Sequence, residues 1–185
     1  MQHPSLTELA ADAAGCTRCS LAAGRTKVVF GVGNPHAALM LVGEGPGRDE
    51  DLVGEPFVGR SGKLLDRLLA EELGMDRSRC YIANTVLCRP PDNRDPRPEE
   101  MAACRPFLDA QLAIVSPAVV VTLGNVATRA LLGATEGIRR LRGRAYPMGD
   151  AWLVPTYHPA AALRSGGQVL AEMRADLVRA KRLLP

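Results

Sequence analysis

Apolar residues fall along this chain in two rhythms. Four short runs, at 37–42, 80–86, 118–123 and 152–156, are dense in apolar and β-branched residues. Runs of that length bounded by turn residues read as strands buried on both faces, the habit of parallel sheets. Between and after them the apolar positions recur at helical spacing, over 62–73, 99–115, 124–132 and 169–184. Strand therefore alternates with helix. The pattern predicts an α/β fold, a three-layer α/β/α sandwich around a short four-stranded parallel sheet. At 185 residues the chain is expected to form one domain, 1–185, burying about two-thirds of its unfolded surface.

Local signals set the ends of these elements. Ser5, with Glu8 three residues on, starts a helix that Gly15 stops. Residues 28–30 read as a short extended piece before Gly31 and Gly33. Four prolines lie between positions 89 and 98, so that stretch is neither helix nor central strand, and Pro98 suits the first turn of the next helix. A loop that long in a compact domain usually has a task.

The most informative stretch is Gly43-Glu44-Gly45-Pro46-Gly47, running on through Asp49, Glu50, Pro56, Phe57 and Gly59 to Gly62. It leaves the carboxyl end of the first strand, the edge where open α/β sheets bind ligands. A dinucleotide fingerprint fails in detail. The third glycine is replaced by Arg48, and Pro46 removes an amide that a pyrophosphate would need. A glycine-rich turn with no ligand is the plain alternative.

Composition narrows the setting. No apolar run approaches the ~20 residues of a membrane span, and positions 1–14 have neither the basic start nor the apolar core of a signal peptide. A soluble cytoplasmic protein with no membrane contact is expected. The net charge of +3 names no partner, but 20 of the 23 basic residues are arginine. Arginine reads phosphate through a planar fork of donors, although high-GC codon usage yields the same bias.

Five cysteines stand at 16, 19, 80, 88 and 104. One C-x-x-C without a second is a poor zinc ribbon, and this one follows a helix, unlike a thioredoxin pair. A structural disulfide does not suit a cytoplasmic chain. Cys80 lies in a strand, where a thiol acts as a small apolar group. Cys16, Cys19, Cys88 and Cys104 remain as candidate metal ligands. Thiolate chemistry alone leaves zinc and iron–sulfur both open.

Taken together, Glu44-Gly45-Pro46-Gly47, Pro56-Phe57-Val58-Gly59, Asn84, Cys88-Arg89-Pro90-Pro91 and His158-Pro159 resemble the family 4 uracil-DNA glycosylases, the iron–sulfur branch of that superfamily. The resemblance spans nearly the whole chain, in order. It implies a monofunctional repair enzyme, monomeric, that hydrolyses the N-glycosidic bond of deoxyuridine in single- and double-stranded DNA and leaves an abasic site. It also implies a [4Fe–4S] cluster on Cys16, Cys19, Cys88 and Cys104.

The resemblance assigns roles to single residues. His158 stabilises the uracil anion, Phe57 stacks on the flipped base, and Asn84 pairs with its N3–H and O4. Glu50 is placed near uracil C5, where it excludes thymine. Gly45 stands where classical members carry a water-activating aspartate, which leaves backbone and Glu44 to hold the water, or leaves the reaction to run mainly on leaving-group stabilisation. Leu163 enters the vacated stack and Arg164 reaches phosphate. By charge alone, apart from the resemblance, the arginines of 139–144 are expected to add non-specific affinity. Each has a plainer reading as a turn, packing or solvated residue; His3 and His36 have no comparable setting. A related branch traps DNA through a histidine in the region of 89–98; this chain has none there, so ordinary turnover is expected. Two other functions stay open: a glycosylase of broader range and a non-catalytic iron–sulfur module that binds nucleic acid.

Overall fold

In the computed structural model, which describes residues 5–185, every residue of the strand Leu39–Gly43 is buried. Residues 1–4, His3 among them, lie outside the described residues. Alternate side chains of this strand leave by opposite faces. Leu39 and Leu41 join one hydrophobic cluster, Met40 and Val42 another, so both faces are covered and the run reads as continuously apolar.

In chain order the strands are β1 (Val32–Gly33), β2 (Leu39–Gly43), β3 (Tyr81–Asn84), β4 (Val119–Leu123), β5 (Tyr146–Met148) and β6 (Ala151–Thr156). The helices are α1 (Leu6–Ala14), α2 (Arg48–Val53), α3 (Arg60–Leu68), α4 (Pro98–Val115), α5 (Asn125–Leu132), α6 (Ile138–Leu141), α7 (Pro159–Ser165) and α8 (Gly167–Lys181). They pack in three layers. Leu64, Leu65 and Leu68 of α3 and Met173, Leu177 and Ala180 of α8 cover one face of the sheet. Leu108 and Val115 of α4 and Ala127 of α5 cover the other. Truncating a fully buried leucine such as Leu65 to alanine costs about 2–5 kcal/mol.

The four expected parallel strands are present as β3, β2, β4 and β6, but the sheet is larger and mixed. Its order is β1-β3-β2-β4-β6-β5, with β1 antiparallel to β3 and β5 antiparallel to β6. The expectation of four strands is corrected to six. Both missed strands are short edges, β1 only two residues long and β5 carrying Pro147, so neither has a run or an alternation to read. Residues 28–30 are not strand, and Cys80 lies just before β3.

Three helices, α2, α6 and α7, are also absent from the pattern of the sequence. Inside the glycine-rich loop, Arg48–Val53 forms α2, and Gly54 ends it with φ +92°. Behind it, α3 runs on through a π-helical turn, Leu69–Leu73, to Gly74. The chain leaves β2 for β3 on one side and returns through α4 to β4 on the other. That reversal opens a crevice at the carboxyl edge of β2 and β4.

Candidate active site

The register pairs Gly43 with Asn84 and Leu123 with Thr156, which sets the carboxyl ends of β2, β3, β4 and β6 in one line. Whatever follows each strand meets along that edge. A cleft of about 690 Å³ opens there, a volume suited to a small ligand. Glu44, Gly45, Glu50, Phe57, Asn84, His158 and Arg164 all line it. Leu163 stands beside Arg164 on α7 and is 43% exposed.

Asn84 is buried at the end of β3, and its Oδ1 has no hydrogen-bond partner. An unpaired buried acceptor costs about 1–3 kcal/mol, and native interiors rarely leave one. Below it, Gly43 leaves room that any other residue would take. A Cβ there would lie 2.5 Å from Asn84 Oδ1 and 2.6 Å from the Phe57 ring. Phe57 itself is in the left-handed region, at φ +55°. Its ring centroid lies 5.6 Å from that of His158, with the planes tilted by 30°.

His158 precedes α7, and its Nδ1 accepts the N–H of Ala160 at 3.2 Å. Burial, helped by the charge of Arg164 and opposed by that of Glu50, pushes the imidazole down to about 4. At neutral pH the ring is therefore uncharged. With Nδ1 accepting, the single ring proton sits on Nε2. A residue that lines the cleft thus carries one free N–H donor and no charge.

Glu44 has the opposite bias. Burial first, and Asp95 second, push its carboxyl up to about 7. Asp95 lines the same cleft. Gly45 is glycine for a steric reason, since a Cβ would lie 2.7 Å from Val86 Cγ2. Val86 is fully buried, so this loop has no room for an aspartate at position 45.

Glu50 borders the cleft with its carboxylate already engaged. Oε1 accepts the amides of Val58 and Gly59 at 2.9 and 3.0 Å, and Oε2 that of Gly47 at 3.1 Å. Its first work is to hold the loop shut on itself. The basic turn is also partly committed. Arg142 forms a bidentate pair with buried Asp176 at 2.8 and 3.0 Å and stacks over Tyr157, so it is a tie between α6 and α8. Arg139, Arg140 and Arg144 remain exposed.

The four candidate thiols are brought together. Cys16, Cys19, Cys88 and Cys104 line one small cavity between α1 and α4, with Leu87 and Phe107. Arg25 donates to Cys88 Sγ at 3.5 Å and Arg18 to Cys16 Sγ at 3.4 Å, so cationic donors face the sulfurs. That donor set fits a centre of thiolates. Among the described residues no group of three or more His, Cys, Asp or Glu side chains is arranged to hold a metal ion. Cys80 is elsewhere, in the core against α3 and α8, where burial pushes its thiol up to about 12.

Several supporting residues carry no local signal. Glu100, fully buried on α4, binds Arg94 at 2.7 and 2.8 Å, the Arg97 amide and Ser20, and so ties the proline-rich loop to the cysteine region. Arg94 chiefly holds its carboxyl down at about 2. Arg77 donates to the carbonyls of Pro56 and Phe57. Only Glu100, three residues past Arg97 at a helix start, was open to reading as a cap.

Comparison with known proteins identifies the family. The family model of the uracil DNA glycosylase superfamily matches residues 30–180. A type-4 uracil-DNA glycosylase of Thermotoga maritima is 45% identical over 169 residues, covering 90% of this chain and 88% of that protein. One from Sulfurisphaera tokodaii is 42% identical over 167 residues, covering 86% of this chain and 76% of that protein. A type-5 uracil-DNA glycosylase of Thermus thermophilus is 35% identical over 176 residues, with 84% and 80% covered. The chain belongs to the type-4 family of the uracil-DNA glycosylase superfamily and is a uracil-DNA glycosylase.

Proposed function

We propose that this enzyme is a monofunctional hydrolase that takes deoxyuridine out of the DNA stack into the cleft and cuts its N-glycosidic bond. The observation that carries this reading is the buried, unpartnered Oδ1 of Asn84 in a cleft shared with Phe57 and His158. Uracil presents N3–H as a donor and O4 as an acceptor, and one side-chain amide meets both. Phe57 offers a face for the base, and the neutral His158 Nε2–H meets the charge that gathers on O2 as the bond breaks. Extrusion costs a few kcal/mol, which Leu163 offsets by entering the gap while Arg164 holds phosphate.

Glu44 holds the attacking water with the loop backbone. As a base it works ionised, so the excision rate rises as pH passes from 6 through its value of about 7. Single-turnover rates across pH 5–9 check this. Glu44→Gln is expected to flatten the rise, and Asp95→Asn to move it to lower pH, because a like charge is removed. A wild-type profile without that rise removes Glu44 as the base.

Cys16, Cys19, Cys88 and Cys104 would hold a [4Fe–4S] cluster. The four sulfurs share one cavity and face the cationic donors of Arg18 and Arg25, a donor set that suits an iron–sulfur centre. The centre would supply no step of the cleavage; held by these cysteines, it would staple α1 and the proline-rich loop to the sheet. Purified protein is expected to be brown with about four irons per chain, checked by metal analysis after anaerobic purification. Stoichiometric zinc without iron overturns this.

The enzyme is read as a single cytoplasmic domain that works as a monomer on single- and double-stranded DNA. No helix among the described residues is long and apolar enough to cross a membrane. An oligonucleotide with one uracil tests the reaction. Free uracil and an alkali-labile site are expected, with no strand break before alkali and no adduct trapped by borohydride. Equal release of hypoxanthine or mismatched thymine would favour a broader glycosylase.

A further inference from the structure

Phe57 holds a backbone conformation that a residue with a side chain avoids, at φ +55°. Such a residue costs on the order of 1–3 kcal/mol and persists only where its surroundings over-determine it. Here they do. Gly62, on the first turns of α3, comes so close that a Cβ would lie 1.7 Å from the Phe57 carbonyl oxygen. Arg77 reaches the same turn from the far side, with Nη1 donating to Phe57 O at 2.6 Å and Nη2 to Pro56 O at 2.5 Å. Asp66 of α3 steadies Arg77 at 3.4 Å.

The opposite charge holds the amides that follow, one of them on the same peptide group as the Phe57 carbonyl. Glu50 accepts the amides of Val58 and Gly59. One cation thus takes the two carbonyls of the turn Pro56–Gly59 and one anion takes two of its amides. Glu50 borders the cleft, whereas Arg77 stands behind its wall and is not among the cleft-lining residues. A lysine in its place offers its donors from a single nitrogen and lacks the planar fork whose two nitrogens meet the two carbonyls here.

We propose that Arg77 is a positioning residue of the base pocket: by binding both carbonyls it holds Phe57 where the ring meets the flipped base. This rests on the stacking role given to Phe57 above. Losing the clamp lets the turn relax toward an ordinary φ and moves the ring away from His158. Misplacement of about 1 Å near the reacting bond is worth up to roughly 10²-fold in rate.

The test is a double-mutant cycle read in single-turnover excision from a uracil oligonucleotide, with DNA affinity and iron content measured alongside. Arg77→Met is expected to slow excision roughly 10- to 100-fold with affinity for DNA unchanged. Arg77→Lys should fall between, and keeps the test valid if the methionine variant folds poorly. Millimolar guanidinium chloride should restore part of the Arg77→Met rate, where equal sodium chloride does not. In a Phe57→Ala background Arg77→Met should add nothing. Full additivity there, or a wild-type rate in both Arg77 variants, overturns the proposal. A Phe57→Ala enzyme at the wild-type rate overturns the stacking role itself and the proposal with it.

Discussion

His158→Ala is expected to slow single-turnover excision by roughly 10²–10³-fold, the usual cost of one preorganised donor aimed at a developing anion. The structure gives the donor its character. Nδ1 is spent on the Ala160 amide, so the proton is on Nε2, and burial holds the ring uncharged down to about pH 4. A neutral donor stabilises the anion without surrendering its proton. Affinity for DNA should change little, since the half-buried ring lines the cleft and carries no charge to meet phosphate. The same ring adds no ionisation of its own to the rate from about pH 5 upward. For stability the sign is that of a histidine with a lowered folded value. Its contribution is full above the unfolded value and is lost as pH falls from about 6.5 toward 4. Replacing uracil by 5-fluorouracil, a better leaving group, should shrink the effect of the substitution. An alanine variant within a few-fold of wild type removes His158 from the reaction.

Asn84→Asp is expected to slow uracil excision on the order of 10²–10³-fold, because an ionised carboxylate accepts only and loses the bond to O4. Asn84→Ala should also be slow, yet its folded state should be no less stable than wild type. The reason is the unpaired Oδ1: the free enzyme carries the cost of a buried acceptor that only the base relieves. Removing the amide removes that cost, so activity and melting temperature should move in opposite directions. Cytosine presents N3 as an acceptor and N4–H as a donor, the reverse of uracil. An asparagine held in the uracil orientation is left unpaired against it. A carboxylate accepts from N4 and, when protonated, donates to N3, so Asn84→Asp is the variant in which a trace of cytosine release should first be seen. Rates on uracil and cytosine oligonucleotides decide the matter. If both variants excise uracil at the wild-type rate, Asn84 only closes its strand and the base is read elsewhere.

The four parallel strands and their helices were legible because burial on both faces writes itself into local sequence as apolar runs. So was the set of residues at the carboxyl edge. Asn84 and His158 each follow such a run, and Glu44, Gly45, Glu50 and Phe57 sit in a glycine-rich stretch after another. Their meeting in one cleft follows from parallel register, which aligns the ends of the strands. The four cysteines were legible by number and by elimination of Cys80, and their shared cavity lies where α1 packs on α4.

Other features have no local imprint. β1 and β5 are edges too short or too proline-marked to show a period, and α2 is hidden inside a stretch rich in glycine and charge. The partners of the charged residues are harder still. Arg142 and Asp176 are 34 positions apart, and Arg77 lies 20 from Phe57. An arginine exposed to DNA and an arginine spent on a buried carboxylate read alike in sequence, since charge says nothing about who stands opposite. Periodicity along one chain is set by which face an element buries, and a residue can carry that alone. Which amide, carboxylate or carbonyl stands across from a side chain depends on how distant segments pack. That packing turned Glu50 and Arg77 into the clamp around Phe57, kept the ring of His158 neutral, and left the Asn84 oxygen without a protein partner.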